Sequence, residues 1–268
     1  MIFACGSKWL GALALAGVCS VAAAQSADWS DVEGRIQYAY YTNDARALNS
    51  VLATLKPKPV DGESEDASSL PTRSYFRALV HYRLAQVLAS TKKSQAKDAI
   101  DDCEDEVDRV VDALPKVPLG LDETDDARRQ RAEAYALATA CTLAGREMSA
   151  LPFGSRIGSR IDEAVKLEPK NPRVRLVEAL AAFDRAARNA QEKAAAMQKL
   201  RAVIAMFEAA RAGASMTPEW GAAEAYAFLG RALYDQRDVV GAREALERAL
   251  LIAPDFAFAR KLMSQITR

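Results

Sequence analysis

Residues 223–256 read AEAYAFLGRALYDQRDVVGAREALERALLIAPDF, and this stretch limits what the chain can fold into more than any other. Its small residues recur at helical spacing: Gly230 on one short helix, Ala242 and Ala249 on a second. Two helix axes come close only where side-chain bulk is missing, and Leu229, Leu233, Leu246 and Leu250 stand beside those gaps to fill the space around them. Asp238 sits where a side-chain oxygen can satisfy the open N–H groups at the start of the second helix. Pro254 cannot continue that helix, so the chain turns. The unit is a helix hairpin. One hairpin cannot cover its own apolar surface on both sides, so it requires neighbours stacked upon it.

The stretch resembles the tetratricopeptide repeat, a 34-residue helix hairpin with an aromatic, a Leu-Gly pair, alanines and a closing proline at set places. Tyr226 takes the first aromatic place, Leu229-Gly230 the pair, and Ala242, Ala249 and Pro254 the later places, while Leu233 and Leu246 supply bulk where the family often has aromatics. A second copy keeps register over 138–171, with Gly145 at the glycine place, Ile161 and Ala164 late in the unit and Pro169 closing it; Cys141 and Ile157 replace the early aromatic and the middle alanine. The resemblance implies an all-α, right-handed α-solenoid of stacked antiparallel helix hairpins with a C-terminal capping helix. In that family the first helices of successive hairpins line a concave groove that binds peptides or partner helices. The groove places here are Thr142 and Arg146, then Leu180 and Phe183, then Ala227, Arg231 and Tyr234. Arg146 and Arg231 share one repeat position, where they could pair with carboxylates of an extended ligand. The Lys and Asn set of the family's peptide-carboxylate clamp is absent.

The rest of the chain agrees with helices throughout. Of 268 residues half are hydrophobic, aromatics are sparse, and the formal charge is zero, so no global field draws the protein to nucleic acid. Lys8, the apolar run from Trp9 to Val18 and the small residues Ala22-Ala23-Ala24 have the order of a secretory signal cleaved after Ala24. The apolar run is short for a transmembrane helix. Cys19 invites a lipid anchor, but Val18 stands before it where the bacterial lipidation signal wants Gly or Ala. The expected organisation is a signal peptide over 1–24 and a repeat domain over 25–268, with less regular hairpins at 30–56, 71–114 and 172–212 and a cap at 256–267: about eleven helices in all. Lys56-Pro57-Lys58-Pro59 and the acidic VDGESEDASSL make an exposed loop over 57–70, and Thr217-Pro218-Glu219 is a helix start. The expected location is periplasmic or secreted, with no transmembrane span once the signal is removed. There Cys103 and Cys141 form an even pair able to bridge neighbouring helices, or else pack as two buried thiols.

No constellation carries recognisable chemistry. His81 stands alone, which excludes the usual metal sites. The acidic run Asp98, Asp101, Asp102, Glu104, Asp105, Glu106 and Asp108 has helical spacing and puts Glu106 where a calcium loop needs glycine, so it reads as a solvated helix face. GSRIGSR at 154–160 lacks the spacing of a phosphate loop; Ser155 reads as a helix cap and Gly158 as a close helix contact. Tyr38, Tyr40 and Tyr41 divide between core and surface. No cofactor, metal or catalytic residue is expected. The function expected is an exported scaffold holding a protein or peptide partner. The alternative is a structural subunit of an envelope complex or a self-assembling protein, with an enzyme built on an unrecognised helical site ranked last.

Overall fold

A computed structural model of the protein describes residues 28–56, 69–115, 124–149, 155–186, 189–211 and 220–267. The signal segment, nearly all of the 57–70 loop and Thr217-Pro218-Glu219 lie outside the described residues. Those described form eleven α-helices and no strand. In chain order they are α1 (Trp29–Tyr41), α2 (Ala45–Thr54), α3 (Leu70–Leu88), α4 (Lys93–Ala113), α5 (Asp125–Ser149), α6 (Ser155–Leu167), α7 (Pro172–Ala186), α8 (Ala190–Arg211), α9 (Ala222–Asp235), α10 (Val239–Ile252) and α11 (Ala257–Ile266). Helices pair as α1/α2, α3/α4, α5/α6, α7/α8 and α9/α10, with α11 closing the end against α10. This is the all-α hairpin stack that the repeat pattern implies.

Local chemistry sets the boundaries. Asp28 accepts from the N–H groups of Ser30 and Asp31 ahead of α1, and Asp44 from those of Arg46 and Ala47 ahead of α2. Asp238 caps α10 by accepting from Gly241 N–H at 3.0 Å. Pro172 opens α7, where its missing N–H costs nothing, and the Asn171 side chain accepts from Arg173 N–H at 2.9 Å. The α9 helix starts at Ala222 behind Gly221. Gly221 has φ +112°, and a Cβ there would lie 2.5 Å from Phe207 Cζ, so only glycine fits this entry.

Successive hairpins stack in two ways. First helices meet first helices, α1 on α3, α3 on α5 and α5 on α7, and each second helix also packs on the next first helix. Gly230 makes the approach expected within its own hairpin: a Cβ there would fall 2.8 Å from Leu246 Cγ and 3.2 Å from the Ala242 carbonyl oxygen. Among the described residues a Cβ at Gly145 would meet Ile100 of α4 at 3.3 Å, a contact between neighbouring hairpins. Among the described residues nothing lies within 4 Å of where a Cβ on Gly158 would stand, so none of them makes the close contact expected there. Phe76, Leu79, Val80, Leu84 and Val87 of α3 are buried as their spacing predicts, and Cys103 of α4 is joined to Cys141 of α5 as a disulfide with Cα atoms 6.5 Å apart.

Candidate partner-binding site and the buried polar centre

Helix spacing puts Gln37 beside Ile36 on α1, Arg83 one turn beyond Leu79 on α3, and Glu224 in the first turn of α9. All three sit on buried faces, and Arg83 is only 1 % exposed and Glu224 2 %. A buried charge is tolerated only when paired and hydrogen-bonded. The Arg83 guanidinium donates to Glu224 Oε1, to Gln37 Oε1 at 3.2 Å and to Gln86 Oε1 at 2.9 Å. Glu224 Oε2 accepts from the Tyr41 hydroxyl and from Gly221 N–H, each at 2.9 Å. The Arg83 Cζ lies 4.0 Å from the centre of the Tyr40 ring and 5.6 Å from that of Trp220. Burial alone pulls the Arg83 guanidinium down, but Glu224 and the surrounding phenols outweigh it, so the group stays charged. Burial, reinforced by Glu224, pushes the Tyr41 phenol well above its ordinary pKa and keeps it a donor.

A second knot lies alongside. Arg173, in the first turn of α7, donates to Glu33 of α1 at 2.8 Å and to Glu133 of α5 at 3.1 Å. Glu33 also accepts from the backbone N–H of Trp220 at 2.9 Å, and the Trp220 indole N–H donates to the Tyr75 hydroxyl of α3 at 2.9 Å. Asn171 completes Glu133 at 2.8 Å. Side chains of α1, α3, α5, α7 and α9 thus converge on one polar centre, and Tyr41 carries the contact further by packing 4.8 Å from Phe256, the residue ahead of α11. The first hairpin is therefore clasped to the last. Every carboxylate in this centre is occupied by two or more donors, which makes it a clasp and leaves it poorly placed for acid–base chemistry.

This arrangement divides the residues expected to line a groove. Arg146 of α5 pairs with Asp184 of α7, and Thr142, one turn before it, donates to Glu104 of α4 at 2.9 Å. Leu180 and Phe183 of α7 and Tyr234 of α9 are half-buried against the core. Ala227 is wholly buried in the apolar cluster that joins α9 to α11, so it offers no surface to a partner. Arg231 is open to solvent and, among the described residues, pairs only with Asp235 of its own helix, 3.5 Å away. The two arginines of one repeat position are thus used differently: one ties neighbouring helices together, the other faces outward. The α5 and α7 residues are brought together by the Arg146–Asp184 pair.

The remaining motifs are also placed. His81 is buried on α3 with Nδ1 3.5 Å from the Asp102 carboxylate; burial outweighs that carboxylate and holds the imidazole below its ordinary pKa. Glu106 departs from the solvated face expected of the acidic run: it is buried and accepts from Arg77 at 2.7 Å and Arg109 at 2.6 Å. No cluster of three or more His, Cys, Asp or Glu able to hold a metal occurs among the described residues, and no described helix is long and apolar enough to cross a membrane. Of the tyrosine group, Tyr38 is exposed, Tyr40 lies against Arg83 and Tyr41 is buried. The sequence signal for the polar centre was a charged residue on an otherwise apolar helix face, as at Arg83 between Val80 and Val87.

The sequence matches no protein-family model and no curated protein. Among solved structures it is similar to YrrB, described as a TPR protein with an unusual peptide-binding site, at 15% identity over 83% of this chain and 93% of that one, with a TM-score of 0.38. At that distance the likeness carries no inference about site or ligand; the hairpin stack rests on this chain's own packing.

Proposed function

We propose that this protein is an exported, non-enzymatic scaffold that binds a protein or peptide through the exposed ends of its first helices. The observation that carries the reading is the fate of its polar side chains: those gathered at the centre are consumed in holding the stack closed, whereas Arg231, with Leu180, Phe183 and Tyr234 half-buried on α7 and α9, remains at the protein's surface. A rigid stack that spends its buried charges on shape and leaves arginine and aromatic groups outside is suited to contact rather than chemistry. The Cys103–Cys141 bridge supports export, because disulfides persist in oxidising compartments. It agrees with a secretory signal over residues 1–24 and a periplasmic or secreted location.

The test is a photo-crosslinking amino acid placed at Tyr234, with the same group at exposed Glu244 of α10 as control. In an envelope extract, position 234 should yield a discrete protein adduct that Arg231→Glu abolishes. Equal labelling from both positions, or an adduct indifferent to Arg231→Glu, refutes the groove. Arg231→Glu should leave the thermal midpoint unchanged, since its ion pair is solvent-exposed.

A further inference from the structure

On the side formed by α8, α9 and α10 a notch of about 180 Å³ opens between the helices. Phe207 and Tyr226 contribute rings, exposed Leu251 forms a rim at 75 % exposure, and Arg211 and Arg248 both line it. Neither arginine has an ion-pair or hydrogen-bond partner among the described residues, although most of the described arginines do. The one acid in the notch, Glu208, already accepts from the Tyr226 hydroxyl. Burial and that bond push the Tyr226 phenol up to about 12, so it remains a donor to Glu208 at any physiological pH. What is left is an apolar slot with two unpaired guanidiniums at its edge. A guanidinium matches a carboxylate through two parallel N–H donors, and an exposed leucine gains by being covered.

We infer that this notch is a second docking surface, taking a partner segment in which a carboxylate stands beside an aliphatic side chain. It is separate from the ends of α7 and α9 discussed above, and stands or falls independently of them. The volume admits about one side chain, so the recognised element is short and the binding is of the weak, linear-motif kind.

The experiment uses the purified full chain and a fluorescein-labelled peptide of alternating glutamate and leucine, read by anisotropy at low salt. Parallel arms use the same peptide with glutamine in place of glutamate and a glutamate peptide lacking leucine. Arg248→Glu and Arg211→Glu should each weaken binding by about tenfold. Leu251→Ser should weaken it without altering charge, and Arg243→Glu, an equal charge change on an exposed α10 position outside the notch, should leave it intact. All substituted positions are exposed, so folding is preserved and is checked by the thermal midpoint. Absence of binding at millimolar peptide overturns the proposal. So does an equal loss with Arg243→Glu, or equal affinity for the peptide without leucine, because either result would mean diffuse charge attraction alone.

Discussion

Glu224 accepts from a guanidinium, a phenol and a backbone amide while almost wholly removed from solvent. Neutralising it leaves the Arg83 charge buried without its counter-ion, so Glu224→Gln should cost about 3–5 kcal/mol in urea unfolding. The pair Arg83→Met/Glu224→Leu removes both charges together and should cost far less, because buried ion pairs replaced jointly by apolar groups are often neutral. A double variant as unstable as the single one would show that the clasp depends on hydrogen-bond geometry and not on charge balance. His81 gives a pH dependence. Its folded pKa lies below the unfolded value of about 6.5, so the neutral form is favoured by folding. That contribution is complete above the unfolded pKa and is lost as pH falls from there through the folded one. The urea midpoint should begin to drop as pH falls below the unfolded value of about 6.5, and His81→Gln should flatten the slope there; parallel slopes would exclude the imidazole as the cause. Neither role was legible beforehand: a charged residue on an apolar face signals a buried partner, but one sequence does not say which residue that partner is.

At the scale of the helix, periodicity and capping carried most of the information. Asp238 caps α10 and Pro172 opens α7 as their positions imply, and the apolar stripe of α3 faces the core. Glycine was legible at Gly230, whose partner lies within the same hairpin. At Gly230 the nearest atoms are the Leu246 side chain and the Ala242 backbone, and the carbonyl cannot move aside. Gly230→Ala should therefore destabilise by about 1–3 kcal/mol. Gly158, in α6 with none of the described residues near its Cβ position, should behave oppositely: Gly158→Ala should raise stability by about 0.5–1 kcal/mol through helix propensity alone. Thermal midpoints of the two variants, moving in opposite directions, are the check; two shifts of the same sign would contradict the packing around one of them. The two glycines share a residue type and a helical setting, and only the distance to the next helix separates them. That distance depends on how hairpins stack, which spacing along one helix does not encode.

Over the whole molecule, two long-range ties hold the stack. The Cys103–Cys141 bridge closes a loop of sequence separation 38. In the chain-entropy view such a cross-link stabilises by about 4 kcal/mol, so Cys103→Ser/Cys141→Ser should lower the urea midpoint accordingly, and a change under about 1 kcal/mol would place the stabilisation elsewhere. The other tie is the junction of α1 with α7 and α9, made by Glu33 and Tyr41 across separations of 140 and more. Local stacking of hairpins was readable because each repeat announces its neighbour; this junction was not, because nothing within 34 residues of Tyr41 points to Glu224. An open repeat array can gain or shed units during evolution, since each one touches only the next. Here the two ends grip each other, so inserting or deleting a hairpin anywhere between Tyr41 and Glu224 would pull Tyr41 out of reach of its acceptor. The number of hairpins between those two residues is thereby fixed by geometry, and relatives that kept the grip are expected to keep that count.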